Sequence, residues 1–173
     1  MIQLRAWAKH VGATHPVPAT LRHDAQQGDA TVHAAAPPLG SFFRLQQITM
    51  SHTQFDGTRS PNLFREVFIG TDASLVLPYD PVRDRVLLVE QIRMGPLLRG
   101  AINPWSLEPI AGMIDPFETP DDTAHRDAAE EARLDNLTLI HVSSFYPSPG
   151  ATTAFLHNYL RLRHLPDAHA THA

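Results

Sequence analysis

Gly112 to Leu134 reads GMIDPFETPDDTAHRDAAEEARL, a turn-forming segment that leads into a short, strongly charged helix. Thr119 suits the N-cap, Pro120 the first helical position, and Asp122 the acidic place of a capping box. From there Arg126, Asp127, Glu130 and Glu131 recur at spacings of three and four, which stacks Asp127 beside Glu131 and Arg126 beside Glu130 one turn apart. Ala124, Ala128 and Ala132 form a second stripe, small enough to lie close against a sheet. Carboxylates crowded on one side repel one another, so the pattern calls for a cation among them. A donor set of oxygens alone favours a hard ion, Mg²⁺ or Mn²⁺, over zinc. The plainer reading of the same residues is a solvated acidic helix.

The remaining composition narrows the class. A chain of 173 residues can bury one sizeable core. The net charge of −4 and scattered arginines argue against a nucleic-acid partner. Without cysteine, neither disulfides nor thiolate metal sites are available. No apolar run reaches membrane-spanning length and no signal pattern opens the chain, so the expectation is a cytoplasmic protein without a membrane partner.

Taken in order, residues 1–40 read as a poorly patterned arm with a short helix from Ile2 to about His10 and a short strand at Ala30 to His33. Residues 41–163 read as one domain, and 164–173 as a disordered tail. Strands are expected from Ser41 onward, at Leu63 to Ile69, Ala73 to Pro78, Arg85 to Ile92, Trp105 to Ile110, Leu137 to Phe145 and Phe155 to Leu162. Asp56-Gly57 is placed at a turn tip, and Tyr79 to Asp84 at a second turn. Many strands around one clear helix give a mixed sheet in an α/β or α+β fold.

The spacing of Gly112, Glu118 and the run Arg126-Asp127-Ala128-Ala129-Glu130-Glu131-Ala132-Arg133-Leu134 resembles the Nudix box. It departs from the usual box at Asp127, where the family has Glu, and at Arg133, where it has Gly. Outside the box, Phe64 to Phe68, Leu77 to Asp84, Leu88 to Arg93, Trp105 to Gly112 and Tyr146 to Gly150 are similar to the ADP-ribose pyrophosphatase branch, closest to its tellurite-resistance-type subgroup. The likeness covers roughly Phe42 to Leu160.

The resemblance implies a Nudix-type α/β/α sandwich with a mixed β-sheet, preceded by an N-terminal antiparallel strand segment. It also implies Mg²⁺-dependent hydrolysis of ADP-ribose to AMP and ribose 5-phosphate, with Mn²⁺ as the other candidate ion. Metal ligands carried over from the family are Asp127, Glu131 and the carbonyl of Ala111, with Glu130 as a further ligand or orienter. Arg65 and Arg93 are the implied substrate contacts. Members of this branch are typically homodimers built through N-terminal strands. Two alternatives stand beside this reading, a non-catalytic nucleotide-binding domain and a pyrophosphatase for another nucleoside diphosphate sugar.

Individual residues keep two readings each. Glu118 and Arg126 are either catalytic or a structural ion pair that locks loop to helix. Arg65 and Arg93 are either ligands or solvated strand charges, and Glu66, Glu90 and Glu108 are read as surface residues. Gly112 is expected to serve an unusual backbone turn. Asp127 withdraws its carboxylate by about 1.5 Å relative to Glu, which is expected to weaken metal binding. Arg133 in place of Gly leaves the helix to run on to Asn136. Ala154 stands where the branch carries Glu after its Ser-Pro-Gly turn, and only Asp135 and Asp167 follow Leu134 as carboxylates. The expectation is therefore a member shortened at its C-terminus, lacking the usual general base and reduced in activity.

Overall fold

In a computed structural model, residues 25–134 and 138–165 are described. The helix expected at Ile2 to His10, most of the tail, and Asp135, Asn136 and Asp167 lie outside them. The described chain forms two compact units, one from residues 25–71 and 146–154, the other from residues 72–134, 138–145 and 155–165.

The first unit is an antiparallel sheet of β1 (Ala30–Ala35), β2 (Arg44–His52) and β3 (Leu63–Ile69), in that order. The strand expected at Leu63 to Ile69 is observed at those bounds, because its alternating residues pair in unbroken register from Leu63↔Met50 to Ile69↔Arg44. Asp56-Gly57 sits at the tip of the β2–β3 connection as expected. Asp56 accepts from the Thr58 backbone N–H at 2.9 Å, and Gly57 takes φ +84°, a conformation that glycine adopts without strain. Arg59 ties the start of β1 to this turn through Gly28 O at 2.8 Å and the Thr31 hydroxyl at 2.6 Å.

The second unit is organised on β4 (Ala73–Asp80), whose exposure alternates along its length. β10 (Leu156–Leu162) runs parallel to it, and β9 (Ile140–Phe145) lies antiparallel beyond β10. On its other side β4 pairs antiparallel with two short strands, β8 (Ile110–Met113) at its beginning and β5 (Arg85–Val86) at its end. A separate two-stranded ribbon joins β6 (Val89–Ile92) to β7 (Trp105–Glu108), with the short helix α1 (Met94–Leu98) between them. The long helix α2 (Pro120–Ala132) covers the sheet through Ala124 and Ala128, both fully buried with Val76 and Ile110. Mixed α/β architecture is thus as expected. Among the described residues α2 is the one helix longer than five residues.

Two predicted strands are each divided. Arg85 to Ile92 breaks at Leu87, which donates its N–H to Pro78 O at 3.0 Å and turns its side chain toward the core. The chain thereby passes from β4 to a different partner strand. Trp105 to Ile110 breaks at Pro109, which has no N–H to give to a ladder. At the far end of β4, Asp80 is fully buried and accepts N–H bonds from Val82, Arg83 and Leu165 at 3.0, 3.2 and 3.0 Å. Burial pushes its carboxyl upward, but these donors prevail and hold it below its ordinary value.

Candidate active site

The site grows from the N-terminus of α2. Thr119 accepts the Asp122 N–H at 3.1 Å while Asp122 accepts the Thr119 N–H at 2.9 Å, so the predicted capping box forms. Ser74 of β4 donates its hydroxyl to Pro120 O at 2.6 Å, which pins that end of the helix to the sheet. With the alanine stripe against the sheet, the helical period sets Arg126, Asp127, Glu130 and Glu131 along the flank of α2 that meets β8 and β6.

Asp127 presses directly onto β8. A methyl group placed on Gly112 would lie 1.9 Å from Asp127 Oδ2 and 2.6 Å from Oδ1. Gly112 is therefore required for close approach. The expected unusual turn is not found, since Gly112 lies within β8 opposite Ser74 and is absent from the positive-φ residues. The side chain of Asp127 is only 7 % exposed. Oδ1 accepts from Arg126 Nη1 at 2.5 Å, and Oδ2 is buried with no hydrogen-bond partner. Burial pushes this carboxyl up to about 6, with Glu131, Glu130 and Glu118 acting in the same direction and Arg126 opposing them.

Arg126 joins the loop to the helix. Its guanidinium donates to Glu118 Oε1 at 2.9 Å and Oε2 at 3.0 Å, and to Met113 O at 3.2 Å, and lies 3.6 Å from Glu130 Oε2. The Arg126 bonds, together with the Thr123 hydroxyl at 2.8 Å and the Asp115 N–H, hold Glu118 down to about 2. The paired carboxylates in turn raise the Arg126 guanidinium above its ordinary value. The ion pair foreseen between Glu118 and Arg126 is thus present, with Thr123 as an additional tie.

Glu131 mirrors Asp127. Its Oε1 accepts from the Gln91 amide of β6 at 3.2 Å, while Oε2 is buried and bare. Arg93 is held by both oxygens of Glu108, with Nε at 2.9 Å from each and a further bond from Nη2. Glu108, read from the sequence as a surface residue, is therefore the partner of Arg93 and fixes the direction of its guanidinium. Ala111 lies on β8 opposite Leu75. Arg65 belongs to the first unit, on β3, where its guanidinium donates to Phe64 O at 2.7 Å. Arg133 itself closes α2 at φ 52°, so the helix ends at Ala132 and Arg133 does not continue it as expected.

Arg126 thus links Glu118, Asp127 and Glu130 by direct contacts, while Glu131, one turn beyond Asp127 on α2, is tied to Gln91 instead. Among the described residues no three acidic or histidine side chains converge into a ready-made metal cage. What the donor set offers instead is two buried carboxylate oxygens without partners, one from Asp127 and one from Glu131, a turn apart on α2. An uncompensated buried carboxylate oxygen is costly, and a hard divalent cation satisfies two at once. The residues present fit such an ion. Sequence reading missed Gln91 and Thr123. The alternation Leu87, Val89, Gln91 was the available signal for Gln91, and the one-turn spacing from Thr119 was the signal for Thr123.

The class the structure defines is a mixed sheet carrying one acidic helix, with the Asp127 carboxylate pressed against the glycine of β8. Residues 71–170 match the NUDIX domain, and the chain belongs to that family. An ADP-ribose pyrophosphatase of Haemophilus influenzae is 37 % identical over 139 residues, 79 % of this chain and 64 % of that protein. An ADP-ribose pyrophosphatase of Escherichia coli strain K12 is 39 % identical over 127 residues, 73 % of this chain and 60 % of that protein. A GDP-mannose pyrophosphatase of Yersinia enterocolitica is 29 % identical over 117 residues, 68 % of this chain and 60 % of that protein. The chain thus spans between 60 % and 64 % of the length of these relatives. A crystal structure of an ADP compounds hydrolase shares the fold, with a TM-score of 0.62 at 17 % identity over 85 % of this chain and 74 % of that one. No helix among the described residues is long and apolar enough to cross a membrane.

Proposed function

We propose that the protein hydrolyses the diphosphate of ADP-ribose, adding water across one P–O–P bond to give AMP and ribose 5-phosphate. The observation that carries this reading is the pair of bare, buried oxygens on Asp127 and Glu131, set in the acidic helix of a NUDIX domain. Asp127 and Glu131 would hold the divalent ion, with Glu130 and the Ala111 carbonyl as further ligands and Mg²⁺ or Mn²⁺ as the ion. When bound, such an ion neutralises diphosphate charge and acidifies water.

The chain's own residues have separable tasks. Gly112 lets the Asp127 carboxylate approach β8, and Glu118 with Thr123 fixes Arg126 against Asp127. Arg93, oriented by Glu108 and 42 % exposed at its side chain, presents guanidinium N–H groups suited to phosphate or to the face of a base. Two copies pair through the N-terminal strands; the exposed Phe64 and Phe68, which share one face of β3, support that pairing. The setting is cytoplasmic, and the partner is a nucleoside diphosphate sugar with no nucleic acid involved.

A second reading, hydrolysis of another nucleoside diphosphate sugar, draws support from the GDP-mannose pyrophosphatase relatives. One experiment separates the readings. Purified protein is incubated with Mg²⁺ and either ADP-ribose or GDP-mannose, and the products are resolved by anion-exchange chromatography. AMP formation at a higher kcat/KM than GMP formation supports the first reading, and the reverse order supports the second. Tight binding of either compound without any monophosphate would instead identify a nucleotide-binding domain.

A further inference from the structure

Glu131 reaches outward from the last turn of α2 on three rotatable bonds, and an unrestrained glutamate there would sample many orientations. Its carboxylate is instead divided in function. Oε1 accepts from the Gln91 amide at 3.2 Å, and Oε2 is left buried and bare. Gln91 stands on β6, paired opposite Ser106 of β7, so its position is set by a ribbon outside the main sheet. Two residues further along, Arg93 is clamped by Glu108 and feels the charge of Glu131.

The two bare oxygens therefore have different counterparts behind them. Asp127 is tied through its other oxygen to a full positive charge, Arg126. Glu131 is tied to a neutral amide, which orients the carboxylate without cancelling its charge. A neutral donor is the suitable tie for a ligand that must still attract a cation.

We propose that Gln91 is the positioning residue of Glu131, holding Oε1 so that Oε2 is presented to a divalent ion. This rests on the metal-dependent reading above. Hydrogen-bond partners of metal-binding carboxylates typically contribute 10–100-fold to metal affinity, so loss of the amide should raise the Mn²⁺ dissociation constant by roughly that factor.

The test counts free Mn²⁺ by its electron paramagnetic resonance signal as metal is added to the folded protein, for the wild type, Gln91→Leu, Gln91→Met and Glu131→Gln. Methionine keeps the length of glutamine and leucine its approximate bulk; both lack the N–H donor, and neither is a ligand for a hard ion. Weak Mn²⁺ binding by both Gln91→Leu and Gln91→Met, with kcat at saturating metal falling by less than the affinity does, is the expected result. Equal affinity in wild type and both Gln91 variants would overturn the role of Gln91 while leaving the metal site standing. Wild-type affinity in Gln91→Met beside a loss in Gln91→Leu would also overturn it, since packing would then matter and the hydrogen bond would not. Equal affinity in wild type and Glu131→Gln would overturn the metal-dependent reading itself and the inference with it.

Discussion

Gly112→Ala is the sharpest perturbation that the structure offers. The added carbon would sit 1.9 Å from Asp127 Oδ2, and ordinary contact begins at 3.4 Å, so the carboxylate has to retreat by 1.5 Å. Asp127 has a single methylene with which to do so, and its other oxygen is bound to Arg126 at 2.5 Å. Either the Arg126 bond breaks or α2 lifts from β8, where Ala124 and Ala128 are packed without exposure. Overpacking of this kind costs about 1–3 kcal/mol, or a fall in Tm of roughly 2–4 °C for each kcal/mol at this chain length. Displacing a ligand by more than an ångström should cost activity on the order of 10²-fold. Calorimetry and a Mg²⁺ titration of AMP release measure the two effects on the same preparation. A Gly112→Ala protein with wild-type Tm and wild-type metal dependence would refute the close approach of Asp127 to β8.

Three further outcomes are expected. Arg133 closes α2 at φ 52°, a conformation that costs a non-glycine residue about 1 kcal/mol, so Arg133→Gly should raise Tm by roughly 2–4 °C in differential scanning calorimetry. Thr119→Ala removes one half of the capping box and should cost about 1 kcal/mol in urea unfolding. Asp127 keeps its proton up to about 6 in the folded chain, against 3.8 for an ordinary aspartate carboxyl. Below 3.8 both states are protonated; between 3.8 and about 6 only the unfolded chain ionises, so metal-free stability should fall as pH rises through that window. The fall is at most about 3 kcal/mol, and Asp127→Asn should abolish it in unfolding curves recorded with chelator.

What the sequence disclosed was whatever local chemistry controls. Thr119, Pro120 and Asp122 set the start of α2 by contacts within one turn, and the alanine stripe identified the face that packs. The strand at Leu63 to Ile69 was legible because its alternation runs unbroken against a single neighbour. Arg85 to Ile92 read as one strand because both halves are apolar, yet β4 offers a partner only for the first two residues and β7 takes the last four. The reason for Gly112 was likewise hidden. Its neighbour Asp127 is fifteen positions away, and only the packing of α2 on β8 brings the two together. Glu108 looked like a bare strand charge until the ribbon fold placed it against Arg93.

The central claim is that Asp127 and Glu131 together hold the ion that makes diphosphate hydrolysis effective. It is tested most directly by kcat/KM for ADP-ribose, measured across a Mg²⁺ titration for wild type, Asp127→Asn and Glu131→Gln. The account predicts metal-dependent AMP release in the wild type, and a loss on the order of 10²-fold or more in each variant, with far-UV circular dichroism unchanged. Metal-dependent turnover retained by both variants at the wild-type level would contradict it.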